Sequence, residues 1–134
     1  METVKRLLVV DDDEDIRETL REVFEHAGYE AVAARDGRAA LALLKAGAAP
    51  PDAVILDLVM PVVDGCEVHR EMQADPSLAR IPVIFSTATP SRAPRGAVVV
   101  PKPIQLERML EMVGSLCGEQ RPRDTGSLKR RHVA

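Results

Sequence analysis

Acidic side chains stand directly after two short apolar runs of the sequence. Asp11 and Asp12 follow the run at residues 7–10, and Asp57 follows the run at residues 53–56. Three carboxylates that meet in a partly desolvated crevice repel one another, so they need protons or a cation among them. Because no Cys or His accompanies them, the ligand set favours a hard divalent ion, Mg²⁺ ahead of Ca²⁺.

A hydroxyl and an ammonium group follow two later apolar runs. Thr87 closes the run that begins at residue 82, and Lys102 closes the run that begins at residue 97. Together with carboxylates and a divalent cation, these groups can bind and transfer a phosphoryl group, with a carboxylate as the nucleophile. The nucleotide-binding patterns GxxxxGK[ST] and GxGxxG are absent from the sequence, which therefore indicates no nucleotide cradle.

Strand and helix patterns alternate along the chain and must position these groups. Apolar runs predict strands at 7–10, 30–34, 53–56, 82–85 and 97–100, and apolar residues at steps of three and four predict helices near 16–27, 39–46, 65–74 and 106–117. This alternation predicts an α/β fold with a doubly wound, five-stranded parallel sheet. In the flavodoxin-like strand order 2-1-3-4-5, ligands bind beyond the carboxyl ends of strands 1 and 3.

One unit of the alternation lacks its helix. Residues 87–96 contain two prolines and a glycine and show no apolar periodicity. The sequence therefore predicts that the fourth helix is shortened or absent.

Length, charge and composition narrow the class of protein. The 134 residues suffice for one domain. Residues 1–118 carry 13 basic and 19 acidic side chains, whereas residues 119–134 carry 5 basic and 2 acidic ones. The latter segment has no core-forming pattern and is predicted to be a basic, disordered tail. Aromatic residues make up 2% of the chain, which excludes a stacking surface for single-stranded nucleic acid.

Nothing in the sequence indicates secretion or membrane insertion. There is no apolar run of roughly 18 residues and no signal peptide, and Cys66 and Cys117 form no CxxC pair. We therefore expect a cytoplasmic protein with reduced cysteines and no membrane association. His26 and His69 fall on predicted helices, at positions typical of surface side chains.

In their order and placement, these residues resemble the receiver domain of two-component response regulators. The resemblance runs from about Lys5 to Gly118 and rests on Val9-Val10-Asp11-Asp12-Asp13, Leu56-Asp57-Leu58-Val59-Met60-Pro61, Asp64-Gly65, Thr87-Ala88 and Lys102-Pro103. It implies a receiver domain over residues 1–118. It also implies a signalling domain, rather than an enzyme, that catalyses only its own phosphorylation and dephosphorylation.

The resemblance implies a role for each residue of the motifs. Asp57 would be the phosphoacceptor, and the phosphodonor would be a sensor histidine kinase or a histidine phosphotransfer protein. Mg²⁺, or Mn²⁺ in its place, would be bound by Asp12, Asp57 and the backbone carbonyl of Val59, and by Asp11 chiefly through a water.

By the same resemblance, two further residues would contact the phosphoryl group. Thr87 would close onto one phosphoryl oxygen and Lys102 would pair with another. The peptide bond between Lys102 and Pro103 would be cis, which an X-Pro bond allows at modest cost.

The sequence departs from the family pattern in two places. The family usually has an aromatic residue three positions before the lysine, and here that residue is Val99. The usual coupling, in which the threonine moves and an aromatic ring rotates inward, therefore cannot operate in its common form. The second departure is the missing helix, through whose face many receivers dimerise or meet output domains.

Simpler structural roles exist for the same acids. Asp11 and its acidic neighbours up to Asp15 could cap a helix, Asp57 could cap a turn before Pro61, and Asp64 suits a turn. Taken jointly, the placement of Asp11, Asp12, Asp57, Thr87 and Lys102 at strand ends favours a site.

Three functions compete. The first is a stand-alone phosphorylation switch with no DNA-binding domain, acting on a downstream protein that the sequence does not identify. The second is a receiver-fold binding module that signals without phosphorylation. The third is an aspartate-nucleophile phosphohydrolase, which would need a second acid two residues after Asp57, where Val59 stands.

Overall fold

The computed structural model describes residues 4–46 and 49–118. Within them, five parallel strands form one sheet in the order β2-β1-β3-β4-β5, which confirms the predicted fold class. The strands are β1 (Arg6–Val10), β2 (Glu30–Ala34), β3 (Ala53–Asp57), β4 (Val83–Thr87) and β5 (Val98–Pro101). The α-helices are α1 (Glu14–His26), α2 (Gly37–Lys45), α3 (Gly65–Ala74) and α4 (Leu106–Cys117).

The helices cover both faces of the sheet. Successive residues of β1 point to opposite faces, so Leu8 joins a cluster with α2 and α3, whereas Leu7 joins a cluster with α1 and α4. The two clusters are built almost entirely from aliphatic side chains, with Phe85 in the first and Phe24 and Tyr29 in the second. Both faces of β3 are fully buried, which explains its continuous apolar sequence.

The connection between β4 and β5 holds a single 3₁₀ turn, Pro90–Arg92, in place of a helix. Pro90 and Pro94 lack the backbone N–H that an extended helix needs, and the N–H of Arg92 binds the carbonyl of Thr89 at 3.0 Å. The prediction of a shortened or absent fourth helix is confirmed.

His69 differs from its prediction as a surface side chain. Its ring lies on α3 in an edge-to-face contact with Phe85 of β4, with 5.4 Å between ring centroids and 71° between ring planes. Burial lowers the pKa of His69 below its ordinary value. His69 is therefore partly buried against β4 rather than a surface side chain.

The predicted tail at residues 119–134 lies outside the described residues. Among the residues that the structure does describe, no helix is long and apolar enough to cross a membrane. Cys66 and Cys117 are both free thiols, each partly buried.

Candidate functional site

Parallel pairing brings three carboxylates to one edge of the sheet. Asp11 follows β1 directly, and Asp57 is the last residue of the neighbouring strand β3 rather than the first residue after it. Asp11, Asp57 and Asp12 each offer an oxygen atom, and these atoms lie within 4.8 Å of one another. Asp11 and Asp57 are buried and Asp12 is exposed, so the cluster opens to solvent on one side.

The ammonium group of Lys102 is the counter-charge of the buried pair. Its Nζ lies 2.8 Å from Asp11 Oδ2 and 3.5 Å from Asp57 Oδ2. Burial by itself would lower the pKa of Lys102, but the hydrogen bond to Asp11 and the charges of Asp11 and Asp57 raise it above the ordinary value. Lys102 is therefore charged at neutral pH.

In the cluster, the ionised form of the Asp57 carboxyl is electrostatically disfavoured. Burial, followed by the negative charge of Asp11, raises its pKa from 3.8 to about 6, although Lys102 and the backbone N–H of Val59 act in the opposite direction. One cation does not offset the repulsion among three carboxylates. A second positive charge near Asp57 would favour its ionised form.

The neighbouring acids have structural roles. Asp13 is the N-cap of α1, where its side chain accepts hydrogen bonds from the backbone N–H groups of Asp15 and Ile16. Asp64 caps α3 through the N–H of Glu67 at 2.9 Å. In the acidic segment after β1, Asp11 and Asp12 therefore belong to the carboxylate cluster, whereas the adjacent Asp13 caps α1.

Thr87 ends β4 at the same edge as the carboxylates. Its hydroxyl accepts a hydrogen bond from the backbone N–H of Thr89 at 3.0 Å and lies 3.1 Å from the Thr89 hydroxyl. Its carbonyl accepts the N–H of Lys102 at 2.9 Å, and the peptide bond between Lys102 and Pro103 is cis. Because the Thr87 hydroxyl oxygen accepts the bond from the Thr89 N–H, its proton can be donated to the Thr89 hydroxyl or to a ligand.

The loop after β3 contains a strained residue. Val62 has φ 68°, a left-handed conformation that is unfavourable for a β-branched side chain, and the residue is 83% exposed. The N–H of Val63 binds the carbonyl of Pro61 at 2.8 Å across it. The strain lies in the loop that joins Asp57 to α3.

Relief of this strain is expected to stabilise the protein. Val62→Gly removes the Cβ and should raise the free energy of unfolding by about 1 kcal/mol, measured by urea denaturation. Val62→Ala keeps the Cβ and should gain less. A Val62→Gly variant less stable than the wild type would contradict this account of the loop.

An open cavity of about 550 Å³ lies over these groups. Asp12, Asp57, Thr87 and Lys102 line it, together with Arg92 of the 3₁₀ turn. The sequence analysis missed Arg92 because no motif or periodicity marks it. The available signal was the shortness of the segment after β4, which keeps the chain close to the strand end.

Comparison with known proteins identifies the family to which this fold and sequence belong. Residues 7–114 match the family described as the response regulator receiver domain. The chain belongs to the receiver domain family of response regulators. Receiver domains are signalling domains rather than classical enzymes, and they bind Mg²⁺ in an acidic pocket.

Sequence relatives of this receiver are response regulators. Response regulator MprA of Mycolicibacterium vanbaalenii is 38% identical over 126 residues, covering 89% of this chain and 53% of the relative. MprA of Mycobacterium avium is 36% identical, with 89% of this chain and 54% of the relative covered. The chain thus spans about half the length of the curated relatives that it matches.

Solved receiver structures share the fold. A putative response regulator from Chloroflexus aurantiacus has a TM-score of 0.78 at 27% identity, with 87% of this chain and all of that chain covered. Chemotaxis protein CheY4 of Vibrio cholerae has a TM-score of 0.74 at 29% identity, with 85% of this chain and 99% of that chain covered.

Proposed function

We propose that this receiver is a phosphorylation switch in which Asp57 accepts a phosphoryl group from a phosphohistidine. The observation that carries the proposal is the convergence of Asp11, Asp12 and Asp57 within 4.8 Å of one another, with Lys102 at 3.5 Å from Asp57. An independent structural use of each residue does not require this convergence. The phosphodonor would be a sensor histidine kinase or a histidine phosphotransfer protein.

The cluster fits a hard divalent cation. Its three side chains all offer carboxylate oxygens, and the raised pKa of Asp57 supports a place for a further positive charge. Asp11, Asp12, Asp57 and the backbone carbonyl of Val59 would hold Mg²⁺, or Mn²⁺ in its place. When bound, the ion would neutralise phosphoryl oxygens and orient them for attack.

The residues of the chain supply the remaining parts of the transfer. A carboxylate oxygen of Asp57 attacks phosphorus, the phosphorus–nitrogen bond of the phosphohistidine breaks, and the donor imidazole takes the electron pair. Lys102 neutralises a phosphoryl oxygen, and the Thr87 hydroxyl donates a hydrogen bond to another. Hydrolysis of the resulting acyl phosphate returns Asp57 to its starting state.

The output of the switch would be a changed interaction with a downstream protein. Val99, partly buried at the edge of the α2–α3 cluster, stands where the family usually has an aromatic ring. Thr87 is instead connected through its hydroxyl to Thr89 and so to the turn Pro90–Arg92. A movement of Thr87 toward a phosphoryl group would therefore displace this turn.

Incubation with acetyl phosphate and Mg²⁺ tests the proposal. We expect one phosphoryl group per chain, located on the peptide that contains Asp57, by mass spectrometry of protein trapped at low pH. A chelator should abolish the incorporation. Unmodified protein at saturating donor and Mg²⁺ would contradict the proposal and favour the alternative of a receiver-fold binding module that signals without phosphorylation.

A further inference from the structure

Arg92 is an exposed residue of the 3₁₀ turn after β4, and hydrogen bonds hold its backbone. The N–H of Arg92 binds Thr89, and the N–H of Thr89 in turn binds the Thr87 hydroxyl. On the other side, the Sγ of Cys66 at the start of α3 lies 4.0 Å from the Arg92 carbonyl oxygen. Arg92 is therefore connected both to the end of β4 and to the start of α3.

Arg92 lines two adjoining cavities. One is the cavity of about 550 Å³ that contains Asp57 and Lys102, and the other is a smaller cavity of about 130 Å³ that contains Val59 and Asp64. Val59, the residue that follows Asp57 by two positions, also lines both cavities. Among the described residues, no carboxylate lies within ion-pair distance of Arg92.

The charge balance of the site changes on phosphorylation. Lys102 and a bound divalent cation together offset the three carboxylates. Conversion of the Asp57 carboxylate into an acyl phosphate dianion adds one negative charge. Lys102, at 2.8 Å from Asp11, is already counted against the three carboxylates, so its contact with a phosphoryl oxygen adds no further positive charge. Among the described residues that line the cavity, Arg92 is the other cation, and a guanidinium group is well suited to phosphoryl oxygens.

We infer that Arg92 is a further phosphoryl-binding residue, whose guanidinium group offsets the charge that an acyl phosphate adds at Asp57. The inference rests on the proposed phosphoryl transfer to Asp57. It gives the short turn a chemical role in place of the helix that it replaces.

Two ligands test this role: Mg²⁺, and beryllofluoride as an acyl phosphate analogue. Loss of the Arg92 charge should affect the two affinities differently. In Arg92→Gln we expect beryllofluoride affinity at saturating Mg²⁺ to fall about tenfold, because a charge-assisted hydrogen bond is lost. The affinity for Mg²⁺ alone should be unchanged or higher, because a like charge is removed. Arg92→Lys should recover part of the loss. Calorimetry or NMR titration measures both affinities.

Arg95→Gln is the matched control. Arg95 is exposed, belongs to the same connection and lines neither cavity, so its variant should bind both ligands as the wild type does. Equal beryllofluoride affinities in Arg92→Gln and Arg95→Gln would overturn the inference, as would a parallel loss of Mg²⁺ affinity, which indicates a structural role. A wild type that binds Mg²⁺ but neither beryllofluoride nor a phosphoryl group would refute the proposed function itself.

Discussion

Asp57→Asn is expected to abolish phosphoryl incorporation and, at the same time, to make the metal-free protein more stable. The amide lacks the nucleophilic oxygen that the transfer needs. It also removes a buried charge whose pKa stands at about 6 instead of 3.8. At about 1.4 kcal/mol per pKa unit, the expected gain in the free energy of unfolding at neutral pH is on the order of 3 kcal/mol. A misfolded variant would instead lose both phosphoryl incorporation and stability.

The stability difference has a defined pH dependence. Because the folded pKa of Asp57 lies above its ordinary value, the folded protein binds this proton more tightly than the unfolded chain does. The resulting stability is fully present below about pH 4 and is lost as the pH rises through about 6. Asp57→Asn should therefore match the wild type in acid and exceed it above about pH 7.

Urea unfolding followed by far-ultraviolet circular dichroism measures this difference, since the chain has no Trp. Mg²⁺ should stabilise the wild type and narrow the gap. Asp64→Asn is the control, because it removes the same charge from an N-cap that Asn serves equally well. If Asp57→Asn proved less stable than the wild type at neutral pH without metal, the assigned electrostatics of the cluster would be wrong.

Gly65→Ala is expected to lower the free energy of unfolding by about 3 kcal/mol and to weaken Mg²⁺ binding about tenfold. A Cβ at Gly65 would collide with the backbone carbonyl oxygen of Asp57 and would lie 2.9 Å from the Cα of Leu58. The Gly65 N–H also binds the Leu58 carbonyl at 2.8 Å, which holds the start of α3 against the end of β3. The clash must therefore displace the end of β3 that carries Asp57.

Gly96→Ala separates this contact from the general cost of replacing glycine. Gly96 has φ 78°, but nothing lies within 4 Å of a Cβ built there. Its substitution should cost about 1 kcal/mol through backbone conformation alone and should leave Mg²⁺ affinity unchanged. Urea unfolding and Mg²⁺ titration of both variants test the comparison. Equal losses in the two variants would show that close approach at Gly65 has no special role.

Most of the candidate site could be predicted from the polar residues that stand at the ends of the apolar runs. Asp11 and Asp57 follow buried apolar runs, and parallel pairing of the two strands brings their carboxylates together whatever the details of the loops. The fold follows from the alternation of strand and helix patterns and is confirmed by the strand order. The absence of a fourth helix was also predictable, because Pro90 and Pro94 interrupt the segment.

Other features depend on contacts that sequence patterns do not encode. Arg92 lines the pocket because of the path that its connection takes, and His69 is partly buried because its ring packs on Phe85. The left-handed backbone at Val62 contradicts the preference of its residue type. In each case tertiary packing outweighs the local propensity of the residue.

The missing helix also affects how the sheet edge meets other molecules. β5 is an edge strand that presents three consecutive valines, a composition that favours pairing with strands of other chains. It is four residues long and ends in Pro101, which has no N–H to donate to a new strand. The short length of β5 and its terminal proline therefore protect this edge of the sheet against aggregation.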